Sequence, residues 1–291
     1  MVIVLLFLLK GGNVAAKSLK EFDYGKEAEN VISEEKRLSY INTIKEFCLM
    51  DDVFLSAVFD DDIELTEFLL QVILENDKIK VKSSKAQYAI KNIAGHSAVL
   101  DIFAQDEHGR NFNVEVQRVN TGDLPKRARY YVGLIDAKEF KAGLDYGKLN
   151  DTYVIFITEH DVLGYDLPIY HIKKSIAENG VELDDGSHVI YVNAEKRNTV
   201  TPLGRLMHDF FCKTAGDMLN GKLSAKVGYM KDEGGVGKMC ELMQKLADKE
   251  VHEDRIATAK ILLESGSDIE LIVKSTRLSR EEVEELAKRI A

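Results

Sequence analysis

Asp101 and Glu115 are acids in apolar company. Asp101 lies in "AVLDIFAQD" and Glu115 in "NFNVEVQ", two stretches whose alternation has the period of β-strands. Between them, a three-residue loop Glu107–His108–Gly109 would put glycine at the left-handed position such loops require. Asp106 then pairs with Arg110, and counting back along both strands sets Asp101 opposite Glu115, Cβ atoms roughly 5 Å apart. Gln117 faces the same way, whereas Val114 and Val116 face the other. Two like charges at that spacing repel, and an apolar setting raises the cost. Two arrangements relieve the conflict. One is a divalent cation of the Mg²⁺ kind, held by carboxylate oxygens, waters and substrate phosphate. The other is a buried ion pair with a nearby Lys or Arg.

The surrounding chain supplies the elements that must hold this hairpin. Upstream, "DDVFLSAVFDDDIELTEFLLQVILEN" reads as one long amphipathic helix, with Ile63, Leu65, Phe68, Leu69, Val72 and Ile73 on its apolar face and Thr66 and Glu67 among them. "KIKV" and "AQYAIKNI" read as short strands. Downstream, "GDLPKRARYYVGLIDAKEF" predicts a helix with Asp123 as N-cap and Pro125 in the first turn. "TYVIFIT" is a continuous apolar run suited to a buried central strand, and "LPIYHI" and "HVIYVN" add two more. From Pro202 onward the pattern is helical. The expected organisation is an N-terminal leader and peripheral helix (1–45), a mixed α/β core (46–215) and an α-helical C-terminal region (216–291).

At this level of detail the ordered set "LDIFAQDEHGRNFNVEVQ", "LPKRARYYVGLID" and "TYVIFIT" resembles the PD-(D/E)XK nuclease superfamily. More narrowly, it is similar to the recombination-promoting nuclease/putative transposase branch. "DDVFLSAVF", "LPIYHI" and "GRLMHDFFC" extend the likeness from about Asp51 to Met230. The resemblance implies a restriction-endonuclease-like mixed β-sheet core flanked by helices. It also implies a Mg²⁺-dependent DNA endonuclease, with Mn²⁺ as a substitute ion, of mobile-element or genome-defence type. By the same resemblance Asp101 and Glu115 are the metal-binding acids, with the Val116 backbone carbonyl as a third ligand. Glu67 matches a helix acid that completes such sites. Gln117 stands where the wider superfamily has Lys; a neutral amide can orient the attacking water by hydrogen bonding. Two positions depart from the branch's pattern: Val99 replaces an Arg, and His96 replaces a basic residue. They make a catalytically weak or inactive DNA- or protein-binding module the alternative reading; an RNA substrate is a third.

Lys126, Arg127, Arg129 and Tyr130 on the helix after the hairpin are candidates for phosphate contact and base stacking, with weak sequence preference. Tyr131 reads as packed on the sheet. The net charge of −10 over 291 residues does not suggest a nucleic-acid binder. From Lys80 to Asn150, however, 12 Lys plus Arg face 8 Asp plus Glu, a local surplus of +4 that permits an electropositive face.

Other motifs carry less. "EGGVGKM" lacks both the glycine spacing and the Ser or Thr of a phosphate loop, which excludes a nucleotide cofactor site there. Seven His show no paired-ligand spacing, and Cys48, Cys212 and Cys240 form no CxxC, as expected of free thiols in a reducing cytoplasm. The apolar run Val2–Leu9 is too short to span a bilayer and reads as a leader. Near the C-terminus Ser267 with Glu270 and Ser279 with Glu282 read as capping boxes opening two short helices, a helix-turn-helix-like pair. Its acidic second helix suits docking or homodimerisation better than DNA reading.

Overall fold

Asp106 sets the hairpin. In the computed structural model, which describes residues 33–92 and 95–290, its buried carboxylate accepts from the amides of His108 and Arg110 at 3.0 and 2.9 Å. Arg110 Nε closes the turn on it at 2.6 Å. Gly109 adopts φ +82°, the left-handed conformation expected of it. The strands on either side are β2 (Ala98–Asp106) and β3 (Asn111–Gln117), paired antiparallel with Gln105 opposite Asn111 and Ile102 opposite Val114.

Ahead of them β1 (Val81–Ile90) pairs antiparallel with β2. "KIKV" and "AQYAIKNI" are therefore not two strands. One strand forms in their place: of "KIKV" only Val81 belongs to it, it runs through Lys82–Lys85 into "AQYAI", and it carries a register shift between Val81 and Ser83 and a positive φ at Gln87. The helix α4 (Leu124–Glu139) then returns the chain to β4 (Thr152–Thr158), which lies parallel to β3. β6 (Ser187–Asn193) pairs parallel to β4 on its other side, and β5 (Ile169–Ile172) closes the edge antiparallel. The order β1-β2-β3-β4-β6-β5 makes "TYVIFIT" the paired interior strand, which explains its unbroken apolar run.

Upstream of the sheet lie α1 (Glu34–Glu46), α2 (Asp52–Phe59) and α3 (Ile63–Ile73). The single long helix expected over this stretch is broken at Asp60–Asp62. Asp61 takes a positive φ, and Asp62 caps α3 by accepting from the Leu65 amide. Three consecutive aspartates favour local side-chain-to-backbone bonds over continued helix, and that preference prevails over the apolar period. Phe54, Leu55, Val58 and Phe59 of α2 are buried, and Thr66 of α3 meets Ser84 of β1 at 2.8 Å.

After β6 comes α5 (Pro202–Phe211), where a Cβ on Gly204 would fall 1.9 Å from the Asn198 carbonyl oxygen, so only glycine fits. The remaining helices are α6 (Gly221–Lys231), α7 (Glu233–Glu264), α8 (Ile269–Thr276) and α9 (Arg280–Ile290). "EGGVGKM" lies within α7. Lys45–Gly228 forms one compact unit; Glu34–Ile44 and the helices from Tyr229 onward form a second. In the second, Ala259, Ile272, Leu278 and Val283 build a small core. The cap of α8 is Asp268, which accepts from the Glu270 amide, not Ser267. A carboxylate takes precedence over the neighbouring hydroxyl at a positive helix end. Ser279 and Glu282 form the expected reciprocal box. The leader lies outside the described residues, among which no helix is long and apolar enough to cross a membrane.

Candidate active site

One step beyond the last regular ladder pair, Ile102–Val114, the strands exchange backbone partners for side-chain ones. The Asp101 amide donates to Glu115 Oε1 at 3.2 Å, and the Val116 amide donates to Asp101 Oδ2 at 3.0 Å. The two carboxylates thus lie side by side, each held by the other strand's backbone. Glu115 is only 4% exposed. Parallel pairing sets it beside Phe156, which packs with Leu124, Ala128 and Tyr131 of α4 in one apolar cluster.

Burial raises both proton affinities. Desolvation is the largest cause at Asp101, reinforced by Asp52 and opposed by the Val116 amide and Arg127. At Glu115, desolvation and then the charge of Asp101 push upward; Asn113, Arg127 and the Asp101 amide pull down. Asn113 is fully buried, and its amide makes no hydrogen bond of good geometry among the described residues.

Among the described residues Arg127 is the cation nearest to Glu115. Its Nη2 donates to Gln117 Oε1 at 2.9 Å but lies 3.8 Å from Glu115 Oε2, and its guanidinium stands 5.0 Å above the Phe156 ring. It tempers the pair without neutralising it, so the ion-pair arrangement is present only in loose form. Gln117 is braced at its other end too, donating to the Val119 carbonyl at 2.7 Å. This contact accounts for an amide where a Lys is usual: Arg127 already brings the positive charge, and its donor needs an acceptor. Gln117→Lys is therefore expected to destabilise the fold by about 1–3 kcal/mol by leaving two cations together and to give no gain in nuclease activity. Thermal melting and a nicking assay check both.

Glu67 is not part of this cluster. Its carboxylate accepts from Lys80 Nζ at 2.8 Å, the Val81 amide at 3.0 Å and Gln71 at 3.2 Å. Val81 pairs with Asp106, five residues along β2 from Asp101, or roughly 16 Å at the rise of a strand. Breaking the upstream helix rotates Glu67 toward the turn end of the hairpin. The helix acid near Asp101 is instead Asp52, in the first turn of α2. Its own proton affinity is raised, by burial above all, and the Val53 amide fixes its Oδ1 at 2.7 Å. Sequence reasoning missed it, because an acid opening a helix is ordinarily a solvated dipole partner. The only available signal was the pairing "DD" before "VFLSAVF".

A cleft of about 530 Å³ adjoins the site, lined by His96, Val99, Lys126, Arg127, Tyr130 and Tyr131, among others. Lys126 and Tyr130 are exposed, and Tyr130 accepts from Asn92 and donates to the His96 carbonyl. Arg129 is exposed but is not part of the cleft wall. Val99 is 43% exposed, so the position where an Arg was expected presents apolar surface.

A second cluster has metal-like composition: donor atoms of His208, Asp209 and Cys212 lie within 4.8 Å of one another. Both Asp209 oxygens are already committed, to the amides of Leu219 at 2.7 Å and Asn220 at 2.8 Å. The carboxylate pins the loop after α5 and is not open for a metal.

A mixed sheet whose neighbouring strands β2 and β3 carry a facing acid pair, beside a helix with inward-facing Arg, has the makings of a nuclease-type core. The chain belongs to the PD-(D/E)XK nuclease family transposases, whose family model matches residues 56–202. That segment includes Asp101, Glu115, Gln117 and Arg127 and begins just after Asp52. Comparison with curated proteins and with solved structures gives no match.

Proposed function

We propose that the chain is a divalent-metal-dependent deoxyribonuclease of mobile-element type, acting in the cytoplasm with Mg²⁺, or Mn²⁺ in its place. One observation carries this reading: two facing carboxylates, Glu115 buried and Asp101 half-buried, have among the described residues no cation closer than 3.8 Å to Glu115. Hard oxygen donors with raised proton affinity fit a hard divalent ion. Asp101 and Glu115 would hold it, with Asp52 as a third carboxylate in place of Glu67 and the Val116 carbonyl as a backbone ligand. When bound, such an ion polarises the scissile phosphate and lowers the pKa of a coordinated water.

The chain's own groups do the rest. Gln117 retains one acceptor lone pair and one N–H after its two bonds, enough to orient a water. Arg127 and Lys126 line the cleft as phosphate partners, and Tyr130 offers a ring to a base. Arg129, outside the cleft wall, would make outer backbone contacts. Cutting both strands of a duplex would call for two copies, a homodimer or sequential action.

The second reading is a binding module that does not cleave. Val99 and His96 favour it, since both line the cleft where phosphate-binding cations were expected. A plasmid-nicking assay with Mg²⁺ separates the two. Wild type should nick; Asp101→Ala and Glu115→Ala should not. Equal nicking by all three would remove the site, and DNA binding without turnover under any divalent metal would establish the second reading. Competition with RNA fixes the substrate.

A further inference from the structure

The turn that leads into α2, the helix that packs on β2 and carries Asp52, is held by one side chain from the strand end beside it. Arg118 directly follows Gln117. Its Nε donates to the Met50 carbonyl at 3.2 Å, and its Nη2 reaches Cys48 Sγ and Asp51 Oδ1, both at 3.1 Å. Its Nη1 lies 3.6 Å from Glu159, whose amide donates to the Gln117 carbonyl at 2.9 Å. One guanidinium therefore ties the pre-α2 turn to the ends of β3 and β4. Asp51, the N-cap of α2, makes no side-chain cap bond to its own helix; it accepts from the Cys48 amide at 2.8 Å and from Arg118. The turn into α2 is therefore tied to the sheet by Arg118, with no side-chain cap from Asp51.

We propose that Arg118 is a positioning residue for the metal centre: it fixes the start of α2, which packs on β2, and so keeps Asp52 near Asp101. This rests on the reading of the acid pair as a metal site. A planar, multiply donating group is required, since the turn and the end of β4 present acceptors at different angles and an ammonium cannot serve them together. The proposal makes a prediction opposite in sign to simple electrostatics. Arg118 is a cation among acids, so deleting its charge alone should strengthen cation binding. Deleting a positioning residue should weaken it, about 10–100-fold by the behaviour of groups that orient metal ligands.

Mn²⁺ titration followed by the free-ion EPR signal, on the full chain without DNA, decides. Arg118→Gln and the charge-preserving Arg118→Lys should both lose about 10–100-fold in affinity. Asp52→Asn should lose a similar factor, and Arg118→Gln combined with Asp52→Asn should be no weaker than Asp52→Asn alone, as two residues acting through one ligand require. Binding by Arg118→Gln equal to or tighter than wild type, or losses that multiply in the double variant, would overturn the proposal. Should Arg118→Gln fail to fold, Asp51→Asn removes one leg of the clamp and should show a smaller, equally non-multiplying loss; unchanged binding there overturns the proposal as well. Wild-type protein that binds Mn²⁺ while Asp52→Asn binds equally well defeats this inference alone, whereas wild type that binds none defeats the metal site and the inference with it.

Discussion

Glu115→Gln is expected to slow DNA cleavage by about three orders of magnitude, a loss of about 4 kcal/mol of transition-state stabilisation, while making the metal-free protein more stable. The two effects have one cause. Glu115 is buried against Phe156 and beside a second carboxylate, with the closest cation among the described residues 3.8 Å away. Gln keeps the shape and keeps Oε1 as acceptor for the Asp101 amide, but removes the charge whose burial is costly. The expected gain at pH 8 is about 1–2 kcal/mol, read as a rise in melting temperature of about 2–4 °C per kcal/mol. Were Glu115 a structural partner of Arg127, the sign would reverse. Removing one member of a needed buried pair strands the other and costs about 3–5 kcal/mol. A melt of the variant without metal thus separates a metal site from an ion pair before any nuclease assay is run.

The second large effect is on pH. Both acids have folded-state proton affinities above those of exposed carboxylates, chiefly through burial. The folded protein therefore holds protons that the unfolded chain has lost, and metal-free stability falls as pH rises from the ordinary carboxylate range, about pH 4, toward neutrality. Metal binding runs the other way: the pair must be deprotonated to serve as ligands, so affinity rises with pH and binding expels protons. Calorimetric Mn²⁺ titrations in buffers of different ionisation enthalpy should show release of roughly one to two protons near pH 6.5, falling toward none by about pH 9. The affinity should climb about tenfold per pH unit for each proton being displaced. Proton-independent binding would mean that the ion sits elsewhere.

The hairpin register was legible because its determinants are local. Gly109 needs a left-handed site, Asp106 staples the turn, and once the loop length is fixed each facing pair follows by counting. Asp101 and Glu115 face each other by that count. The same holds for β4, whose apolar run reflects pairing on both sides, and for Pro125 in the first turn of α4, although Asp123 ahead of it makes no side-chain cap bond. What failed depended on competition between local preferences, or on contacts far apart in sequence. The aspartates at 60–62 end one helix and start another, which turns Glu67 toward Lys80. Asp52 resembles any acid at a helix start until Arg118, 66 positions later, pulls its turn to the sheet. No periodicity reports such a contact. Gln117 was read correctly as neutral, but the reason, an Arg ten residues on that supplies the charge, lay in the packing of α4.

The most direct test of the central claim is anomalous diffraction from crystals soaked in Mn²⁺. The account predicts a peak between the carboxylates of Asp101 and Glu115, within coordination distance of both and of Asp52, that disappears in Glu115→Gln. No peak at those oxygens, or a peak only at His208 and Cys212, would contradict it.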